Sequence, residues 1–260
     1  VRRASSARSG DVRRFAADSS LVLAGGRAIL LQIADPVVGA GVARHSDFAR
    51  RPQQRLVHTL MYVYAVVLGS PADAAAAVSF VNRAHEPVAG ADDIDRQLWV
   101  AATLYDSAIQ MHEILRGPVS PELAQAILDA YEPLGGALRV PSSRWPSSVT
   151  AFSSYWESAF AALHVTSDAR DVVRDLLYPR LAPWWVRAAM PFMRLLTVGL
   201  LPPALRTQFG FAWGPAEERR FARLCRRLRL VVGAVPPPLR RLPVWLLLRQ
   251  MRRFATAGGR

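Results

Sequence analysis

Lysine is missing from this chain, and all 33 of its basic residues are arginine. Schiff-base chemistry, a lysine general base and a lysine metal ligand are excluded at once. The single cysteine, Cys225, rules out an internal disulfide. It also rules out the thiolate clusters of structural zinc and iron–sulfur sites, so a metal centre would rest mainly on nitrogen or oxygen ligands. Nothing calls for an oxidising compartment. Acidic residues run short toward the C-terminus, where sixteen arginines from Arg180 onward face only Glu217 and Glu218. A basic third of this kind suits either a solvated helix face or contact with an anionic membrane or nucleic acid.

Other signals are lacking too. Alternating strand patterns are nearly absent, and no classical zinc, P-loop or nucleophile-elbow spacing occurs. Arg2, Arg3 and a serine-rich stretch lead to Asp11, Arg13 and Arg14 without an apolar run of signal-peptide length, so a cleaved secretion signal is not expected. The apolar stretch 21–43 is broken by Gly25, Gly26, Arg27, Asp35 and Pro36, and reads as two buried helical pieces rather than a membrane span. Residues 195–205 are too few to span.

With 260 residues and 51% hydrophobic content, the chain can bury a full core. Proline and glycine punctuation delimits helical segments at 21–33, 36–43, 52–68, 71–88, 94–115, 183–200, 215–232 and 236–254. Further starts fall at Ser120-Pro121-Glu122 and near Thr150 and Thr166. The sequence therefore predicts an all-α protein, a single globular multi-helix domain over 21–254. A flexible segment 1–20 would precede it and a tail 255–260 would follow. The 135–148 loop, with Pro141 and Pro146, reads as a crossover within that domain because apolar helices flank it. No repeat argues for a solenoid.

Four of the five histidines, His45, His58, His85 and His112, cluster between positions 45 and 112. On the segment 71–88, Ala74, Val78, Val81 and His85 recur at helical spacing, which sets the imidazole on an apolar stripe. It is then either a satisfied core histidine or a pocket residue. On the preceding helix Arg55, Thr59, Tyr62 and Val66 share a face, with His58 one position off it. Packed together, the two helices would bring two imidazoles, a guanidinium and a hydroxyl to apolar walls. That inventory suits a heme pocket between core helices, with imidazole for iron and arginine for a propionate.

The remaining candidates have plainer readings. His45 and Asp47 would form a hydrogen-bonded pair or simply end a helix in an Asx-type turn. His112 follows Tyr105 and Ile109 and reads as packing, while His164 has no supporting constellation. Trp184-Trp185 reads as a core pair, with a membrane interface as the alternative.

Five phrases resemble the MpaB and latex-clearing-protein oxygenase family: GGRAILLQIADPVVGAGVARHSDF at 25–48, RxxxT from Arg55 to Thr59, AHEPVAG around His85, WVAATLYDS at 99–107, and LTVGLLPPALRTQFGFAWG at 196–214. The resemblance runs in order from about Leu21 to Phe254. It implies an all-α domain holding heme b, with dioxygen as co-substrate for oxidative cleavage of C=C bonds in an apolar, isoprenoid or lipid-like molecule. By the same resemblance His85 corresponds to the proximal iron ligand, and Arg55 and Thr59 to polar residues beside the heme. His58 stands where rubber-cleaving members can present a lysine to the distal side; it would ligate iron, donate a hydrogen bond or point away.

Two family histidines are missing, since many relatives read HP at Asp35-Pro36 and VHATL at 100–104. Asp35 retains a carboxylate that would serve as a base or orient a histidine, or would cap the helix at Pro36. Asp106 offers polarity near the lost histidine at Ala101. A noncatalytic heme- or lipid-binding protein at a membrane surface is the alternative function, because 244–254, with Arg249, Arg252 and Arg253, is both apolar and cationic. A cytoplasmic protein is expected, with peripheral contact at the inner face of the membrane through these helices. No specific nucleic acid is expected, as no reader motif is present.

Overall fold

Helix boundaries fall where polar caps and prolines stand. The computed structural model describes residues 10–45, 52–86, 88, 90–137, 139–180 and 182–257; the side chains at 45, 52–56 and 253–257 lie outside the described set. In chain order come α1 (Gly10–Ala16), a 3₁₀ turn (Ser19–Ala24), α2 (Gly25–Ile33), α3 (Pro36–His45), α4 (Pro52–Leu68), α5 (Pro71–His85) and α6 (Ile94–Arg116). There follow α7 (Pro121–Ala137), a 3₁₀ turn (Ser142–Arg144), α8 (Val149–Ala161), α9 (Ser167–Leu177), α10 (Trp184–Leu200), α11 (Pro203–Gln208), α12 (Pro215–Ala234) and α13 (Pro237–Ala257). No strand occurs among the described residues, and the helices form one all-α domain.

Local chemistry accounts for most of these starts. Proline opens seven helices, at positions where its missing N–H is not needed and its fixed φ suits the first turn. The Ser70 hydroxyl accepts from Asp73 N while the Asp73 carboxylate accepts from Ser70 N, which closes a capping box at α5. Asp93, Ser148 and Thr166 cap α6, α8 and α9. α6 stops at Gly117, whose φ of 97° is one that L side chains rarely adopt. Pro202 and Pro203 end α10 as expected, but the chain resumes at once as α11.

α6 is the central element, buried on most of its circumference from Leu98 to Leu115. The 3₁₀ turn Ser19–Ala24, α2, α7 and α12 pack around it, while α4 and α5 form an antiparallel pair packed against α7 and α13. α2 crosses α10 so closely that a Cβ at Gly26 would lie 2.2 Å from Thr197 Oγ1. Residues 10–20 correct the expectation of a flexible segment 1–20: they pack as α1 and the start of the 3₁₀ turn, with Phe15, Ala16 and Ala17 buried in the main core, while residues 1–9 lie outside the described residues. Trp145 anchors the crossover after α7 by donating its indole N–H to Leu128 O at 3.1 Å.

A second expectation is corrected at the tryptophan pair. Trp184 and Trp185 were expected in the core, but they are 79% and 56% exposed. They open α10 immediately after Pro183, and the inward face of that helix is carried instead by Leu196, Val198 and Leu200, near its far end. Among the described residues no single helix is long and apolar enough to cross a membrane; only the pair Gly10–Ala16 and Ser19–Ile33, bent by 50°, reaches that length and composition together. Leu30, Leu31 and Ile33 of that pair are core residues.

Candidate functional site

An apolar cavity opens between α2, α3, α4, α6 and the 3₁₀ turn Ser19–Ala24. It holds ≈ 120 Å³ of space for water-sized molecules within an envelope of ≈ 950 Å³ that continues to solvent. Ala24, Gly25 and Ala28 keep one wall low, and Ile29, Leu60, Val63 and Leu104 line the others. Thr59 contributes a hydroxyl, and Gln32, Tyr64, Ser107 and Tyr131 supply the remaining polar atoms. Gln32 Nε2 donates to Thr103 Oγ1 at 3.0 Å, and that hydroxyl donates to Val100 O at 2.7 Å. Burial pushes the phenol of Tyr64 up, with Asp18 adding to the effect, so it stays protonated and uncharged.

Beside the cavity lies a buried ion pair. Arg27 is 2% exposed. It donates from Nε to Leu200 O at 2.9 Å and from one terminal nitrogen to Ser107 Oγ at 2.8 Å; the other meets Asp106 Oδ2 at 2.6 Å. Its guanidinium carbon lies 5.9 Å from the Trp156 ring centroid. Burial pushes the Asp106 carboxyl above the usual carboxylate range, and Arg27 opposes that rise. Through Ser107, which also faces the cavity, the pair ties α2, α6 and α10 together behind the pocket wall. Only half of this network was anticipated, in the polarity attributed to Asp106. The available signal was one charge in each of two apolar stretches, Arg27 in GGRAILLQI and Asp106 in WVAATLYDS.

Because α4 and α5 are antiparallel and joined by a two-residue link, the start of α4 and the end of α5 lie at one end of the hairpin. Arg55, His58 and Thr59 belong to the first, and His85 to the second. Thr59 reaches the cavity wall. His58 is exposed and meets the Phe80 ring edge-on, with centroids 4.9 Å apart. His85 is the last residue of α5 and half-buried. The side chains of Arg55 and His45, and the whole of Asp47, lie outside the described residues. Asp35 accepts from Val37 N and Val38 N, both at 2.9 Å, and so caps α3; Arg96 Nε stands 3.5 Å from it. Ala101 is fully buried within α6. His112 packs on Phe15 at 5.1 Å, and His164 donates its backbone N–H to Ala34 O.

Residues 13–230 match the family described as ER-bound oxygenase mpaB/B'/rubber oxygenase, catalytic domain. Two curated relatives are uncharacterized proteins, Mb2261 of Mycobacterium bovis and Rv2237 of Mycobacterium tuberculosis. Each is 32% identical over 250 residues, covering 89% of this chain and 96% of the relative. Among solved structures, latex clearing protein LCP in the closed state superposes with a TM-score of 0.55 at 17% identity, over 95% of this chain and 72% of that one. At that identity the likeness concerns the fold.

Proposed function

Since the chain belongs to the mpaB/rubber oxygenase catalytic-domain family, we propose that it is a heme b-dependent oxygenase that cleaves a C=C bond of an apolar, isoprenoid or lipid-like small molecule with dioxygen. The observation that carries the reading is the apolar cavity with Thr59 on its wall, next to the hairpin end that bears His85, His58 and Arg55. A porphyrin asks for apolar walls, an axial nitrogen and polar partners for its propionates. The residues present fit it in kind. His85 would hold the iron, Arg55 would meet a propionate, and Thr59 and His58 would be the polar residues beside the heme. When bound, the heme supplies the iron at which dioxygen is activated, and both oxygen atoms end in the two carbonyl groups that replace the cleaved double bond.

The protein's own contributions are positioning and exclusion. Leu60, Val63, Leu104 and Ile29 would hold an aliphatic chain and keep water out, which strengthens any hydrogen bond inside. The Thr59 hydroxyl donates or accepts without carrying charge. Tyr64, held protonated by burial, can donate but not act as a base near neutral pH. Asp35, engaged at the start of α3, would act on the site through that helix.

Visible spectra of heme-supplemented protein in ferric, ferrous and CO-bound forms test the reading. His85→Ala should abolish the Soret species, and a six-coordinate ferrous form lost in His58→Ala would make His58 the second axial ligand. An unchanged spectrum in His85→Ala overturns the ligand assignment.

A second reading, a noncatalytic heme- or lipid-binding protein docked on a membrane surface, is favoured by one observation. Leu239, Leu242, Trp245 and Leu246 leave the outer face of α13 apolar and 48–59% exposed, in the arginine-rich third of the chain. Flotation with anionic vesicles, lost in a Leu242→Asp/Trp245→Asp variant and accompanied by no oxygen consumption, would favour it.

A further inference from the structure

A second cavity, sharing no lining residue with the first, sits where α1 and the end of α6 meet the start of α13. It offers ≈ 280 Å³ of space for water-sized molecules. Four of its lining side chains are arginines, Arg14, Arg116, Arg240 and Arg241, against two carboxylates, Asp11 and Asp18. Both carboxylates are already engaged. Asp11 pairs with Arg14. Asp18 accepts from Ser20 N and Oγ at 3.1 and 2.6 Å, and meets Arg240 at 2.6 Å and Arg116 at 3.5 Å. Two cationic charges are left in excess.

Two guanidinium groups show where that excess is available. Arg240 Nε is buried without an acceptor. Arg241 makes no hydrogen bond or ion pair among the described residues. The backbone cannot supply the donors usual at a helix start, because Pro237 and Pro238 carry no N–H, and the N–H groups of Leu239 and Arg240 go to Pro236 O at 3.0 and 3.2 Å. Recognition must therefore come from side chains. His112, also in the lining, has its pKa lowered by burial against the opposing pull of Asp18, so the positive charge at neutral pH belongs to the arginines.

We propose that this cavity binds a phosphate group, presented either by a soluble phosphate ester or by an anionic lipid headgroup. Tetrahedral oxyanions match guanidinium forks, which donate two parallel N–H groups to neighbouring oxygens. A phosphate would bring the buried Arg240 Nε an acceptor and balance the charge left by Asp11 and Asp18.

The test uses the full chain, titrated calorimetrically with inorganic phosphate and with glycerol 3-phosphate against a chloride control, and floated with phosphatidylcholine vesicles with and without phosphatidic acid. Saturable phosphate or glycerol phosphate binding, weakened about tenfold in Arg241→Gln and partly kept in Arg241→Lys, supports a soluble ester. Flotation that depends on phosphatidic acid and is lost in Arg241→Gln, without soluble binding, supports the headgroup. Arg241→Gln should melt at the parental temperature, since it breaks no described contact. No binding beyond the chloride control in either arm, or binding unchanged in both Arg241→Gln and Arg116→Gln, overturns the proposal.

Discussion

Replacing Arg27 by methionine should destabilise the fold more strongly at alkaline than at acid pH. Arg27 is 2% exposed and Asp106 19%, so the change leaves a mostly buried carboxylate without its cation. Breaking one side of a buried pair costs about 3–5 kcal/mol. The partial exposure of Asp106 places the loss near the lower end, about 3 kcal/mol, with the lost donors to Ser107 and Leu200 O included. Burial already raises the Asp106 pKa and Arg27 is what opposes it, so the variant raises it further. A carboxyl with a raised folded-state pKa contributes stability that is present below its unfolded value and lost as pH climbs through the folded one. The deficit relative to the parent should therefore be greatest near pH 8 and shrink toward pH 5. Urea denaturation at both values, read as a shift in midpoint at constant slope, measures it. Arg27→Met/Asp106→Leu should recover most of the loss, because an apolar pair of similar volume needs no charge compensation. A deficit under about 1 kcal/mol at pH 8, or one independent of pH, would refute the reasoning.

Gly26→Ala should cost about 1–3 kcal/mol by forcing α2 away from Thr197, and Thr197→Ala in the same chain should return most of it; equal stabilities in thermal melts would show that the crossing has slack. Asp73, held down to about 2 chiefly by Arg252, contributes stability that is complete above its ordinary 3.8 and is lost as pH falls through about 2. With solvent screening, that amounts to about 1 kcal/mol, and Arg252→Gln should flatten this part of an acid-denaturation curve. If the proposed heme occupies the apolar cavity, Ala28→Phe should fill that space and reduce heme uptake about tenfold or more while far-UV circular dichroism stays unchanged; unchanged uptake would refute that placement.

Much of the helix framework was legible because its signals are short-range. Ser70 with Asp73, Asp93, Ser148, Thr166 and the helix-opening prolines act within one turn, so the sequence alone places those starts. The hairpin end bearing Arg55, His58, Thr59 and His85 was legible for a related reason, since the link at Gly69-Ser70 is too short for any neighbour arrangement but an antiparallel one. The stripe through His85 was also plain from spacing, but spacing gives a face and not what covers it. Trp184 and Trp185 show the limit: their hydrophobicity argued for burial, yet no helix among the described residues covers them at the start of α10.

Composition by itself determined what chemistry is closed to this protein, through the missing lysine and the lone cysteine, and helical periodicity determined the fold class. The tertiary structure decided which charges share a desolvated environment. Arg27 reaches Ser107 across 80 positions, and Arg240 reaches Asp18 across 222. No local pattern encodes such pairs, because the energy of a buried charge depends on which helices cross over it and how much water they exclude.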